Sequence, residues 1–109
     1  MSVYLFETWV IKPEHLETHA VLWKEYVQYM KNNRDLFKGI ISMQILNKLE
    51  GQGTVTHLQI VEFNSVEDKE ALDWQLSQDI ETLQFKQQLM LIKDPKTTTQ
   101  MLTEPLVSY

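Results

Sequence analysis

Three segments of this chain, VYLFETWVI at 3–11, IISMQILNKL at 40–49 and TVTHLQIVEF at 54–63, are rich in β-branched and aromatic residues and read as strands. Side chains alternate across a strand, so each segment divides by parity. The first puts Val3, Leu5, Glu7, Trp9 and Ile11 on one face and Tyr4, Phe6, Thr8 and Val10 on the other. The second gives Ile41, Met43, Ile45 and Leu49 against Ile40, Ser42, Gln44 and Leu46. The third gives Val55, His57, Gln59, Val61 and Phe63 against Thr56, Leu58, Ile60 and Glu62. An antiparallel sheet with one face in water alternates cleanly between apolar and polar. This one does not, so both faces need cover.

Between the strands the period changes. Across 13–33, Leu16, Ala20, Trp23, Val27 and Met30 recur at steps of four and three, predicting one helix face. Pro13 suits the first turn, and Glu14 and Glu17 favour its positive end. Lys31 and Arg34 suit the far end, with Asn32–Asn33 and Gly39 as stops. Glu50-Gly51-Gln52-Gly53 predicts a hairpin between the second and third strands. Asn64 or Ser65 caps a second helix, with Asp68 in the position of a capping-box acid. Leu72, Leu76, Ile80 and Leu83 form its predicted stripe, with Ala71 and Trp74 alongside. Ser77-Gln78-Asp79 is a point where it can break. Asp94–Pro95 ends the helical region, and 97–107 reads as a last strand. Pro105 cannot donate to a ladder, which places that strand at a sheet edge or the proline at its end.

The order is strand–helix–strand–strand–helix–strand. It predicts one α+β domain over 1–109, ferredoxin-like (βαββαβ), with an antiparallel sheet of order 4-1-3-2 and two helices on one face. Two helices leave the other face bare. A second copy of the sheet is the simplest cover, so a homodimer through the sheet face is expected, with Tyr4, Phe6 and Val10 as a row. Parity does not say which face meets the partner.

The net charge of −5, with ten Lys and Arg thinly spread, argues against nucleic acid or an anionic membrane as the main partner. The absence of cysteine excludes disulfides, thiolate metal sites and a thiol nucleophile. The opening MSVYLFETWVIKPEH is read as a strand rather than a signal peptide, and no apolar run approaches the ~20 residues that span a bilayer. A cytoplasmic protein is the expectation.

Element order, length and the stretch HLQIVEFNSVEDKEALDW (57–74) resemble the dimeric α+β barrel superfamily, which includes antibiotic-biosynthesis-type monooxygenases, haem-degrading monooxygenases, NIPSNAP-like proteins and stress-responsive barrel proteins. The resemblance covers nearly the whole chain, on generic motifs. It implies sheet-on-sheet dimers with small ligands held between sheet and helices. Haem-degrading members carry an Asn on the first strand, a Trp in the second helix and a His about three helical turns beyond. Trp74 matches the Trp, but the other positions fall near Glu7 and Gln84, so haem degradation is disfavoured.

Candidate residues follow from residue type and neighbours. His57, among apolar neighbours in a strand, is the best general-base candidate, because an unperturbed imidazole titrates near neutral pH. The plain alternative is a core histidine bonded to a neighbour. Glu7 is a carboxylate within an apolar strand, costly to bury unless paired; His57 or Gln59 on the neighbouring strand are its candidate partners. His15 and His19 share a helix face four residues apart, but no Glu follows His15, so the zinc-protease pattern is absent and no metal site is expected. His19 instead flanks the apolar stripe. Trp23, Tyr26 and Trp74 would line a cavity for a flat apolar ligand, if they do not simply fill the core. No phosphate loop, nucleophile elbow or cofactor motif is present, and no cofactor is expected. Two readings therefore stand: a small-molecule-binding, monooxygenase-like enzyme in which His57 and Glu7 handle protons, and a non-catalytic dimeric ligand-binding, stress-related or interaction module.

Overall fold

A computed structural model describes residues 2–49 and 54–107. The predicted hairpin turn, Glu50 to Gly53, lies outside the described residues. Strands β1 (Val3–Ile11), β2 (Ile40–Leu49), β3 (Val55–Phe63) and β4 (Thr99–Thr103) form one sheet, and helices α1 (Leu16–Asn32), α2 (Val66–Leu76) and α3 (Ile80–Ile92) join them. The sheet order is β2-β3-β1-β4 with every pair antiparallel. This is the predicted ferredoxin-like topology, with three helices where two were expected.

The extra helix arises at Ser77-Gln78-Asp79. Ser65 caps α2 by accepting the Asp68 N–H, and Asp79 caps α3 by accepting the Thr82 N–H. The new start changes which residues face inward. Thr82, Phe85, Leu89 and Ile92 are buried on α3, whereas Ile80 and Leu83 of the predicted stripe are 70% and 40% exposed. The first helix also differs. Pro13–His15 is a 3-10 turn, and α1 buries His19 and Trp23 while Ala20 is exposed.

One register irregularity corrects the parity of β2. A bulge between Ile40 and Ser42 sets Ile40 opposite Phe63, so Ile40 joins Met43 and Ile45 on the inner face. Ser42 then faces outward, where its hydroxyl donates to Glu62. The helices cover the face carrying Val3, Trp9, Ile11, His57, Val61 and Phe63, all buried. Two apolar clusters pack there. One joins Trp9, Ile11 and Trp23 to Phe85, Leu89 and Ile92; the other joins Val3, Val61 and Phe63 to Phe37 and Leu72. Tyr26 packs against both.

The opposite face carries Tyr4, Phe6, Val10, Leu58 and Ile60, all half-buried, flanked by Leu46 and Met101, which are exposed. Cross-strand register makes Phe6, Ile60 and Met101 one transverse row. Among the described residues no helix is long and apolar enough to cross a membrane.

Candidate functional site

The inner face holds a cavity of about 380 Å³ between β1, β3 and α3. Its walls are aromatic and aliphatic: Trp9, Trp23, Tyr26, Phe85 and Leu89. Its polar groups are few, namely Glu7, Gln59, Thr82, Lys86 and Lys93. Apolar walls with a few convergent polar groups characterise a small-molecule site. Glu7 stands opposite Gln59 on β3 and Gln100 on β4. Burial pushes its carboxyl above the ordinary carboxylate range, and the Lys93 and Lys86 ammonium groups draw it part of the way back. A carboxylate so placed is a better proton acceptor than one in water.

His57 is absent from the cavity lining. It is 0% exposed and packs against two indoles that also neighbour each other, with ring centroids 4.0 Å from Trp9 and 5.1 Å from Trp23. Its strand position sets it opposite Trp9 rather than Glu7. The Nε2 atom lies 3.3 Å from Gln59 Oε1, and Nδ1 is buried without a partner. Burial lowers its pKa to about 4, although the Gln59 hydrogen bond acts the other way. Gln59 stands opposite Glu7 in the strand register and bonds His57. The imidazole positions Gln59; it does not line the cavity.

His19 completes this cluster. Its Nε2 accepts from the Trp9 indole N–H at 3.0 Å, and its ring meets His57 edge-on at 5.1 Å. Burial lowers its pKa to about 4, so both histidines are neutral at pH 7. Among the described residues no group of three or more His, Cys, Asp or Glu is arranged to hold a metal.

Tyr26 is held by a 2.8 Å hydrogen bond to Thr82, stacks on Phe85 at 4.3 Å, and lines the cavity with Trp23. Trp74 does not: it is 70% exposed on α2, outside the residues lining the cavity. The second helix ends two residues after it, so the expected continuation over the sheet never forms. The haem-degrading pattern does not converge either, because Gln84 lines a separate cleft between α1 and α3. Sequence reasoning missed Lys86 and Lys93. Lys86 is exposed on α3 and Lys93 is its C-cap, positions where lysine is commonplace and gives no signal.

No family model matches this chain, and no curated protein does. Solved structures do. A NIPSNAP family protein from Agrobacterium tumefaciens superposes with a TM-score of 0.70 at 12% identity, over 96% of this chain and 93% of that one. SnoaB from Streptomyces nogalater, a cofactor-independent oxygenase solved in mutant form, gives 0.66 at 9% identity, over 98% and 95%. A dimeric protein of unknown function and ferredoxin-like fold from Bacteroides fragilis gives 0.66 at 11% identity, over 95% and 96%. The fold is theirs. At these identities the likeness carries the architecture alone.

Proposed function

We propose that this chain forms a homodimer through its outer sheet face and binds a flat apolar or aromatic molecule in the inner cavity of each subunit. Glu7 takes a proton from a weakly acidic ligand there, and the resulting anion reacts directly with dioxygen, as in a cofactor-independent monooxygenase. One observation carries the reading: a lone carboxylate, raised in pKa by burial, sits in an aromatic-walled cavity beside two lysines that can neutralise a ligand anion. Similarity to a cofactor-independent oxygenase supports it. The dimer is supported by the apolar outer row around Phe6 and Ile60, and by a structural neighbour described as dimeric.

A second reading, a dimeric binding module without turnover, is favoured by the enclosure of His57, which leaves one acid–base group in the cavity instead of two.

The test uses naphthols as flat, weakly acidic bicyclic probes. Binding is read from quenching of tryptophan fluorescence, and turnover from oxygen uptake without added cofactor. The enzyme reading expects Glu7→Gln to keep binding and lose uptake. Binding with no uptake by the native protein supports the module, and a Glu7→Gln variant unchanged in both readouts excludes Glu7. Light scattering checks the dimer: Phe6→Lys is expected to give a monomer, and a native monomer at micromolar concentration would overturn it.

A further inference from the structure

A second cleft, of about 410 Å³, opens between α1 and the edge strand β2. Its floor is apolar: Leu16, Trp23, Val27 and Ile45. Lys24 and Lys31, seven residues apart and therefore on one helix face, stand at its rim, with His19, Gln28 and Asn47 as further polar groups. The chain has fifteen Asp and Glu against ten Lys and Arg, yet no carboxylate lines this cleft. Both lysines are exposed, and neither makes an ion pair among the described residues. The inner cavity differs in this respect, because Glu7 lines it.

One buried donor lies at the wall. The Trp23 indole nitrogen, in a residue only 7% exposed, has no hydrogen-bond partner. A buried polar atom without a partner is destabilising, and a ligand acceptor would relieve that cost. An apolar floor, two exposed lysines without an ion pair among the described residues and an indole N–H without an acceptor match one ligand chemistry.

We infer that the α1–β2 cleft is a second binding site, for an aromatic or amphipathic monoanion bearing a carboxylate or sulfonate. Its ring system lies against Trp23, Val27 and Ile45, and its anionic head meets Lys24 and Lys31. The site is independent of the proposed inner cavity and shares only the Trp23 wall with it. Interaction with exposed lysines is screened by salt, so affinity falls as ionic strength rises.

The probe is 1-anilinonaphthalene-8-sulfonate, with N-phenyl-1-naphthylamine as its uncharged counterpart. Side-chain amide resonances of the ¹⁵N-labelled full chain report location: Gln28 and Asn47 line the cleft, and Gln59 lines the inner cavity. The sulfonate is expected to shift Gln28 and Asn47 and to leave Gln59 in place. The Lys24→Gln/Lys31→Gln variant, altered only at exposed positions, is expected to bind the sulfonate at least tenfold more weakly. Its affinity for the neutral amine should change less than twofold. Shifts confined to Gln59, or equal loss of both probes in the variant, would overturn the assignment. So would sulfonate binding indifferent to the two substitutions.

Discussion

Lowering the pH from 7 to 5 is expected to remove about 4 kcal/mol of folding stability, through His19 and His57. Both pKa values fall from 6.5 to about 4 on folding, because burial penalises the imidazolium. The sign follows from which state takes the proton first. Between pH 6.5 and 4 the unfolded chain binds more protons than the folded one, so stability is fully present above 6.5 and is lost as the pH falls. Each histidine contributes a loss of about 2 kcal/mol over the interval from pH 7 to 5. Glu7 works in the opposite sense: its folded pKa is raised, so its protonation returns a little stability on acidification. Total stabilities of domains this size are about 5–15 kcal/mol, so the loss is large. The assay is urea unfolding followed by tryptophan fluorescence and far-ultraviolet circular dichroism at pH 7, 6 and 5, at one protein concentration. With a slope of about 1–3 kcal/mol per molar urea, the midpoint should fall by about 2 M. His57→Phe keeps a flat ring against Trp9 and Trp23 while removing one titration, so its loss should halve to about 2 kcal/mol. A His57→Phe protein with the native pH dependence would refute the reasoning, as would a native loss below about 1 kcal/mol.

Further expectations concern the helices. Asp79→Ala should cost about 1–2 kcal/mol in a thermal melt, since the carboxylate caps α3 and accepts from both Thr82 and Tyr29. It should also bring the Tyr29 phenol, raised to about 12 by burial and by Asp79, back toward 10, which an ultraviolet titration reads. Ser65→Ala should cost about 1 kcal/mol by loss of the α2 cap, measured by the same melts. Trp74→Ala should change stability by less than about 0.5 kcal/mol and leave naphthol binding intact, because the indole is largely exposed.

The first three strands and the sheet order were legible because β-branched and aromatic runs separated by Pro, Gly and Asn mark strands locally; the last strand, read over 97–107, is only Thr99–Thr103, with Pro105 beyond its end. The inner set Val3, Trp9, Ile11, Val61 and Phe63 followed from a period of two. What parity could not show was the bulge that turns Ile40 inward, since one inserted residue reverses the assignment of everything before it. The site was half legible. Glu7 stood out as a carboxylate in an apolar strand, and Trp23 and Tyr26 as aromatics on one helix face. His57 stood out equally, but whether a buried imidazole faces a cavity or lies under two indoles depends on register and on the depth of α1. Lys86 and Lys93 were invisible as site residues because lysine at a helix surface is commonplace.

The break at Ser77–Asp79 links fold to site most directly. A helix continued unbroken from α2 at about 100° per residue would turn Ile80 and Leu83 inward beneath Leu72 and Leu76. The cap at Asp79 instead restarts the helix, and the residues facing the sheet become Thr82, Phe85 and Leu89. That change of phase, close to half a turn at ~100° per residue, has two consequences. It brings the Thr82 hydroxyl within 2.8 Å of the Tyr26 phenol and Asp79 within 2.8 Å of the Tyr29 phenol, tying α3 to α1 by polar contacts. It also places Phe85 and Leu89, with Lys86 and Lys93 beside them, over Glu7 rather than the bulky Ile80 and Leu83. The cavity thus depends on a polar tripeptide that interrupts an apolar stripe. Phe85 and Lys86 reach it from the re-phased turns, facing Trp9 of β1 and Trp23 and Tyr26 of α1.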